Sequence, residues 1–283
     1  ILEIPVDKIG LHDNFFALGG HSLLATQIVS RVRDAWQMDL PLRTLFEAPV
    51  LSALAEQIEV RMQQSAAPAL QAPPIRPAER KEDIPLSFAQ QRLWFLDQLE
   101  PNSPFYNMPE VVRLSGKLNR SILEQSLNEV VRRHESLRTT FLTVDGKPKQ
   151  VISPVTPIHL QLSDLRSTPA HERNAEVERI IRQESQHPFN LARGPLWRAR
   201  LLRVEEEEHI FLLVIHHIIS DDWSSNVLFA ELATFYEAFS QGGAWPLPDL
   251  PIQYADYAVW QRQWLQGDIL QAHLAYWEKQ LKG

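Results

Sequence analysis

Two strings in the sequence place reactive side chains where a fold can put them to work. The first ends in Ser22, which follows Gly19-Gly20-His21 and opens a run, Leu24, Ile28, Val32 and Trp36, that returns every four residues as a helix does. A serine at a helix start is commonly an N-cap. The position is also an anion site: first-turn N–H groups lack intrahelical acceptors, the helix dipole is positive there, and glycines allow close approach. A phosphate ester on the Ser22 hydroxyl suits that setting. The second string is His216-His217-Ile218-Ile219-Ser220-Asp221-Asp222-Trp223-Ser224, directly after the apolar run Ile210 to Ile215. A buried strand ending in an imidazole gives an acid–base group a rigid support. Adjacent histidines fit a purely structural strand end equally well. They fit a metal site poorly, because successive strand side chains face opposite ways and no third histidine stands in the string.

The elements that must carry these residues fall into two patterns. Before residue 63 the signals are helical: the Leu24 run, then Leu51, Leu54, Ala55, Ile58 and Met62, with a short apolar segment, Leu42 to Phe46, behind Pro41. Residues 63–83 hold Pro68, Pro73, Pro74 and Pro77 without an aromatic residue, the composition of an extended linker that spans at most about 65 Å. Strand and helix then alternate. Residues 111–118 read as a strand, Asn119 as a helix cap, and Leu123, Leu127, Val130 and Val131 as a buried helical stripe. Residues 137–142 and 149–152 flank Asp145-Gly146, a hairpin signal. Residues 196–204 and 209–217 enclose the run Glu205 to Glu208, whose like charges belong in a solvated turn. Leu228, Leu232, Phe235 and Phe239 mark a further helix, and residues 254–265 and 270–281 two more.

Composition narrows the function classes. At 283 residues, 44% apolar and 22% charged, the chain is long and apolar enough for one large domain or two unequal ones. A net charge of −7 argues against attachment to nucleic acid or anionic membrane by bulk electrostatics. The longest apolar run, six residues, is far short of the roughly 18 that a membrane span needs. There is no cysteine, so any thiol chemistry requires an imported thiol. The first residue is Ile1 and the first twenty carry no signal-like pattern, from which a cytoplasmic piece of a longer protein is expected.

Longer strings carry a family resemblance. Asp13-Asn14-Phe15-Phe16-Ala17-Leu18-Gly19-Gly20-His21-Ser22-Leu23-Leu24, with the later Leu45-Phe46-Glu47-Ala48-Pro49, resembles the phosphopantetheine-attachment motif of peptidyl carrier domains. Ser87-Phe88-Ala89-Gln90-Gln91-Arg92-Leu93-Trp94, Arg133-His134-Glu135-Ser136-Leu137-Arg138-Thr139-Thr140-Phe141, the histidine string, and Tyr254-Ala255-Asp256-Tyr257-Ala258-Val259-Trp260 stand in the order of the condensation domains of nonribosomal peptide synthetases. The wording is most similar to the subtype that joins two L-configured residues. The resemblance implies a carrier domain over 1–62, a linker over 63–83 and the N-terminal lobe of a condensation domain over 84–283. The implied fold is a small four-helix-type bundle plus an α/β lobe like that of chloramphenicol acetyltransferase.

By the same resemblance Ser22 carries covalent 4′-phosphopantetheine, the missing thiol, and His217 faces an amide-forming reaction. His216 supports the strand end and Asp221 is structural, with Arg138 as its expected ion-pair partner; His134 and Trp94 are expected to pack. No metal is implied. The implied partners are a phosphopantetheinyl transferase, an adenylation domain, a downstream acceptor carrier and aminoacyl or peptidyl thioesters. A carrier directly upstream of a condensation domain resembles the donor station of such assembly lines, which implies that the acyl or peptidyl group on Ser22 is the one transferred.

Two departures from the pattern matter. The final glycine of the family's histidine signature is Asp222, which is expected to raise the His217 pKa, to narrow access and to tolerate a positive φ. The resemblance covers one lobe of two and omits most of the family's first carrier helix, so little amide formation is expected from the 283 residues alone. The competing reading is a non-catalytic carrier and docking module with an inactive lobe.

Overall fold

The computed structural model describes residues 1–2, 4–5, 8–36, 38, 40–64, 72–80 and 84–282. Two compact units divide it, Ile1–Pro73 and Pro74–Gly283. Of the expected linker, residues 65–71 and 81–83 lie outside the described residues. Residues 72–80 carry no regular secondary structure, and from Pro74 onward they cluster with the second unit.

The first unit is built on α1 (Ser22–Trp36), α2 (Leu42–Glu47) and α3 (Leu51–Gln64). Its core joins Ala25, Val29 and Val32 to Leu40, Leu45, Leu54 and Ile58. The stripe that α1 buries therefore differs from the four-residue series read in the sequence. Each step of four advances 400°, or 40° beyond a full turn, and three such steps carry Trp36 about 120° away from Leu24. Trp36 stands half exposed. On α3, likewise, Leu54 and Ile58 are buried whereas Leu51 and Met62 are exposed.

In the second unit a four-stranded sheet runs in the order β2 (Asn107–Ser115), β7 (Glu208–His216), β6 (Trp197–Arg203), β5 (Gln161–Asp164). A smaller sheet holds β1 (Ile84–Pro85), β4 (Lys147–Ile152) and β3 (Thr139–Val144). Around them lie α4 (Phe88–Leu99), α5 (Arg120–Arg133), α6 (Ala170–Gln186), α7 (Asp222–Ser240), α8 (Tyr254–Trp264) and α9 (Gly267–Leu281). β7 is an interior strand covered on both faces. Ile210 packs with Val177 and Ile180 of α6, while Phe211 meets Phe229 of α7 edge to face at 6.3 Å. Two covered faces explain why this strand reads as an unbroken apolar run and not as an alternation.

The sequence misplaces some boundaries for identifiable reasons. β2 begins four residues before Val111 because among the described residues it is an edge strand, paired with β7 alone, where Pro109 has no ladder bond to lose. It ends at Ser115 because Gly116 turns at φ 101°. The Asn119 cap, accepting from Ser121 and Ile122 N–H, and the buried stripe of α5 stand as read. So does the Asp145-Gly146 turn, with φ 51° and 74°. Two elements carry no clear periodic signal: α6, whose apolar residues are sparse among charges, and the short β5, which pairs parallel to β6. No helix among the described residues is long and apolar enough to cross a membrane.

Candidate functional site

Ser22 is the first residue of α1 and is exposed. The loop ahead of it is wound tightly. Gly20 N–H donates to Phe15 O at 2.9 Å, and a Cβ on Gly20 would come within 2.5 Å of that oxygen and 2.6 Å of the Phe15 ring. Gly19 adopts φ 91°, a conformation that glycine reaches without a steric penalty. The glycine pair thus serves to bring the chain sharply into α1 with the serine hydroxyl outward. No acidic residue sits in the first turn, so nothing there repels an anion. An exposed hydroxyl at the positive end of a 15-residue helix fits a phosphodiester.

The histidine pair sits where β7 leaves the sheet. His216 closes the strand and is 3% exposed. Ile218 N–H donates to its Nδ1 at 3.1 Å, which requires that nitrogen to be unprotonated. Burial, with the neighbouring His217 adding to it, brings the His216 pKa down to about 4, so the ring is neutral at physiological pH. Its flanks are aromatic, Tyr106 and Phe189, each with centroids 6.2 Å away.

His217 is held differently. Its N–H donates to Tyr106 O at 2.8 Å, the last backbone bond before β2 begins. Its Nδ1 lies 2.8 Å from Ser220 O, and because a carbonyl only accepts, Nδ1 carries the proton. In the neutral ring the free lone pair is then on Nε2. The half-buried ring lines a cleft of about 530 Å³ with Phe105, Tyr106, Met108, Asp222 and Trp223. A neutral imidazole with its tautomer set by a backbone carbonyl can accept a proton at one defined atom.

Asp221 caps α7, accepting from Ser224 N–H at 2.8 Å and Ser224 Oγ at 2.6 Å. The expected ion pair with Arg138 is absent. Arg138 instead donates to Ser153 O at 2.8 Å and stands 4.0 Å from Glu135, three residues away in the same turn. The physical reason is that Asp221 spends its carboxylate on the helix start, and Arg138 on the end of the β3–β4 hairpin. Asp222 is the first helical residue of α7 and is not among the residues with positive φ, so the left-handed backbone anticipated for it does not occur. His134 pairs with Glu231 at 2.7 Å across α5 and α7, and Trp94 packs against the main core. Among the described residues no cluster of His, Cys, Asp or Glu could hold a metal ion.

Sequence reasoning missed Tyr106, Phe105 and Met108, which reach the site only because β2 pairs with β7 in the register Asn107 to His216. No motif spacing announces a contact across more than one hundred residues; the strand register alone would have revealed it.

The model of the condensation domain family matches residues 80–283. The chain belongs to that family. A second model, described as a phosphopantetheine attachment site, matches residues 1–58. One of the proteins that make up the linear gramicidin synthase of Brevibacillus parabrevis is 50% identical over 280 residues, covering 99% of this chain and 6% of that protein. Malpibaldin synthetase of Mortierella alpina is 43% identical over 282 residues, covering 99% of this chain and 5% of its own length. The chain thus spans only a small part of these relatives. Among solved structures, the X-domain from teicoplanin biosynthesis has a TM-score of 0.66 at 29% identity, covering 75% of this chain and 46% of that one. The starter condensation domain of rhizomide synthetase RzmA has a TM-score of 0.63 at 26% identity, over 70% of this chain and 47% of that one. The fold is accordingly a carrier-type helical unit followed by a condensation-domain α/β unit, and covalently attached 4′-phosphopantetheine belongs to the first.

Proposed function

We propose that this chain is a donor carrier and the following condensation unit of a nonribosomal peptide synthetase. In this reading a thioester rooted at Ser22 supplies the acyl group for amide formation at His217. The observation that carries the reading is the His217 ring, fixed at Nδ1 by the Ser220 carbonyl and open at Nε2 beside a cleft, on the same chain as a carrier unit. We place the carrier over 1–62, the linker over 63–83 and the condensation domain over 84–283, in the cytoplasm. Its partners in this reading are a phosphopantetheinyl transferase, an adenylation domain and a downstream acceptor carrier.

When bound, the prosthetic group supplies the thiol that presents the acyl chain as a thioester. Ser22 Oγ holds its phosphate at the positive end of α1. The attacking amine has a pKa near 7.7–8.0, so about 10–20% is already neutral at pH 7 and its activation asks little of the enzyme. Nε2 of His217 would take the proton that the amine must lose as it is acylated, and the thiol of the bound prosthetic group would be the leaving group to which that proton returns. His216 stays neutral and holds the strand end, Asp221 holds α7, and Asp222 and Trp223 shape the entrance. A positioned base of this kind contributes about 10²–10⁴-fold.

The test is amide formation in a reconstituted synthetase module that contains this chain. His217→Ala is expected to slow transfer by about 10²–10⁴-fold while intact mass still shows one prosthetic arm gained from coenzyme A. Ser22→Ala should abolish that gain. Undiminished transfer by His217→Ala would favour the docking-module reading.

A further inference from the structure

We propose that Asp256 and Glu135 form a latch that grips Arg80 and thereby fixes where the carrier's tether leaves the condensation unit; the proposal rests on the carrier–condensation reading above. Asp256 lies in the first turn of α8 and is 1% exposed. Its carboxylate accepts from Gln253 N–H at 2.6 Å, within its own helix cap, and from two donors that come from the tether: Ala78 N–H at 2.8 Å and Arg80 Nη1 at 2.5 Å. The same guanidinium reaches Glu135 Oε2 through Nε at 2.9 Å and Nη2 at 2.8 Å, and its Nη1 closes back on Ala78 O at 2.8 Å.

A carboxylate so far from water is costly unless it is paired. Burial alone would raise the Asp256 pKa, yet Arg80 together with the Ala78 and Gln253 N–H groups outweighs it and leaves the pKa lowered. Gln253 couples the two acidic residues, since its side chain accepts from Glu135 N–H at 3.0 Å while its main chain is capped by Asp256. Glu135 and the first turn of α8, about 120 residues apart in the chain, thus form an acidic socket that the segment Ala78–Arg80 fills.

The latch therefore holds the chain at Ala78–Arg80, ahead of β1, where the strand pattern alone would end the tether. Releasing the latch moves this hold on the chain from Ala78, about 14 positions after the end of α3, to Ile84 of β1, about 20 positions after it. Effective concentration falls as roughly the −3/2 power of tether length, which predicts about a twofold fall.

Arg80→Glu and Arg80→Ala test this in the full chain within its synthetase module; Asp256 itself is left intact because it also caps α8. Amide hydrogen exchange of residues 76–80 should accelerate about tenfold or more in either variant, while that of residues 210–215 stays unchanged. Transfer from a donor loaded on Ser22 should fall about twofold. Transfer from the same acyl group presented as a free N-acetylcysteamine thioester should hold. Unchanged exchange at 76–80, or an equal fall for both donors, overturns the latch. If the unsubstituted chain transfers neither donor, the condensation reading has failed, and the exchange measurement still decides whether Arg80 holds the tether.

Discussion

Adjacent histidines in one string end in opposite states because their Nδ1 atoms meet opposite partners. Ile218 N–H donates to His216, and Ser220 O accepts from His217. The first ring is thereby committed to structure and the second is left a lone pair at Nε2. With its pKa at about 4 in the fold against about 6.5 unfolded, His216 makes stability depend on pH with a definite sign. Between those values the unfolded chain binds the proton and the native state does not, so stability rises with pH across that window and is lost as pH falls. At pH 5 the loss relative to neutral pH amounts to about 2 kcal/mol. Denaturant unfolding of the whole chain at pH 5 and pH 7, with His216→Gln alongside, measures it: the variant should lose about that much less between the two pH values. An equal pH dependence in both proteins would show that the buried ring does not set it.

At the scale of elements, the loop that follows β7 is short because α7 starts immediately after it, and Asp221 is the residue that starts α7. Removing that cap in Asp221→Ala costs about 1 kcal/mol, in line with other lost N-caps. The more specific consequence concerns Ser220, whose carbonyl holds the His217 tautomer next door to the cap. Nitrogen NMR of His217 should show the Nδ1–H form dominant in the parent chain and mixed tautomers in Asp221→Ala; an unchanged ratio would mean the loop holds itself. The legibility of these elements followed their burial. β7 was visible because both its faces are covered, and α5 because Leu123, Leu127, Val130 and Val131 all turn inward. α6 was not, since it lays few apolar residues on the sheet and spends the rest of its length on charged side chains. Ser22, His216 and His217 stood out as local strings. The groups that hold the two histidines, Tyr106 O and Ser220 O on His217 and Ile218 N–H on His216, are backbone atoms, which no residue-type pattern can disclose.

For the whole molecule, the helical first unit and the α/β second unit keep separate cores: Leu45 belongs to the cluster around Ala25 and Val29, Phe141 to the one around Leu127 and Phe211. Sequence composition had already placed a proline-rich stretch between two differently patterned halves, but it could not show that Ala78 and Arg80 are held by the second half, because that depends on Asp256, far along the chain. Separate cores imply separable stabilities. Leu45 is fully buried, and truncating such a leucine to alanine typically costs about 2–5 kcal/mol, most of what a small unit has in hand. Calorimetry of the full chain should therefore resolve two transitions, with Leu45→Ala lowering or erasing one and leaving the other in place. Priming of Ser22 should be lost with the transition that disappears, because the exposed hydroxyl depends on α1 and its tight glycine entry being formed. If the two transitions instead moved together, the units would share their stability, and the first could not unfold independently of the second.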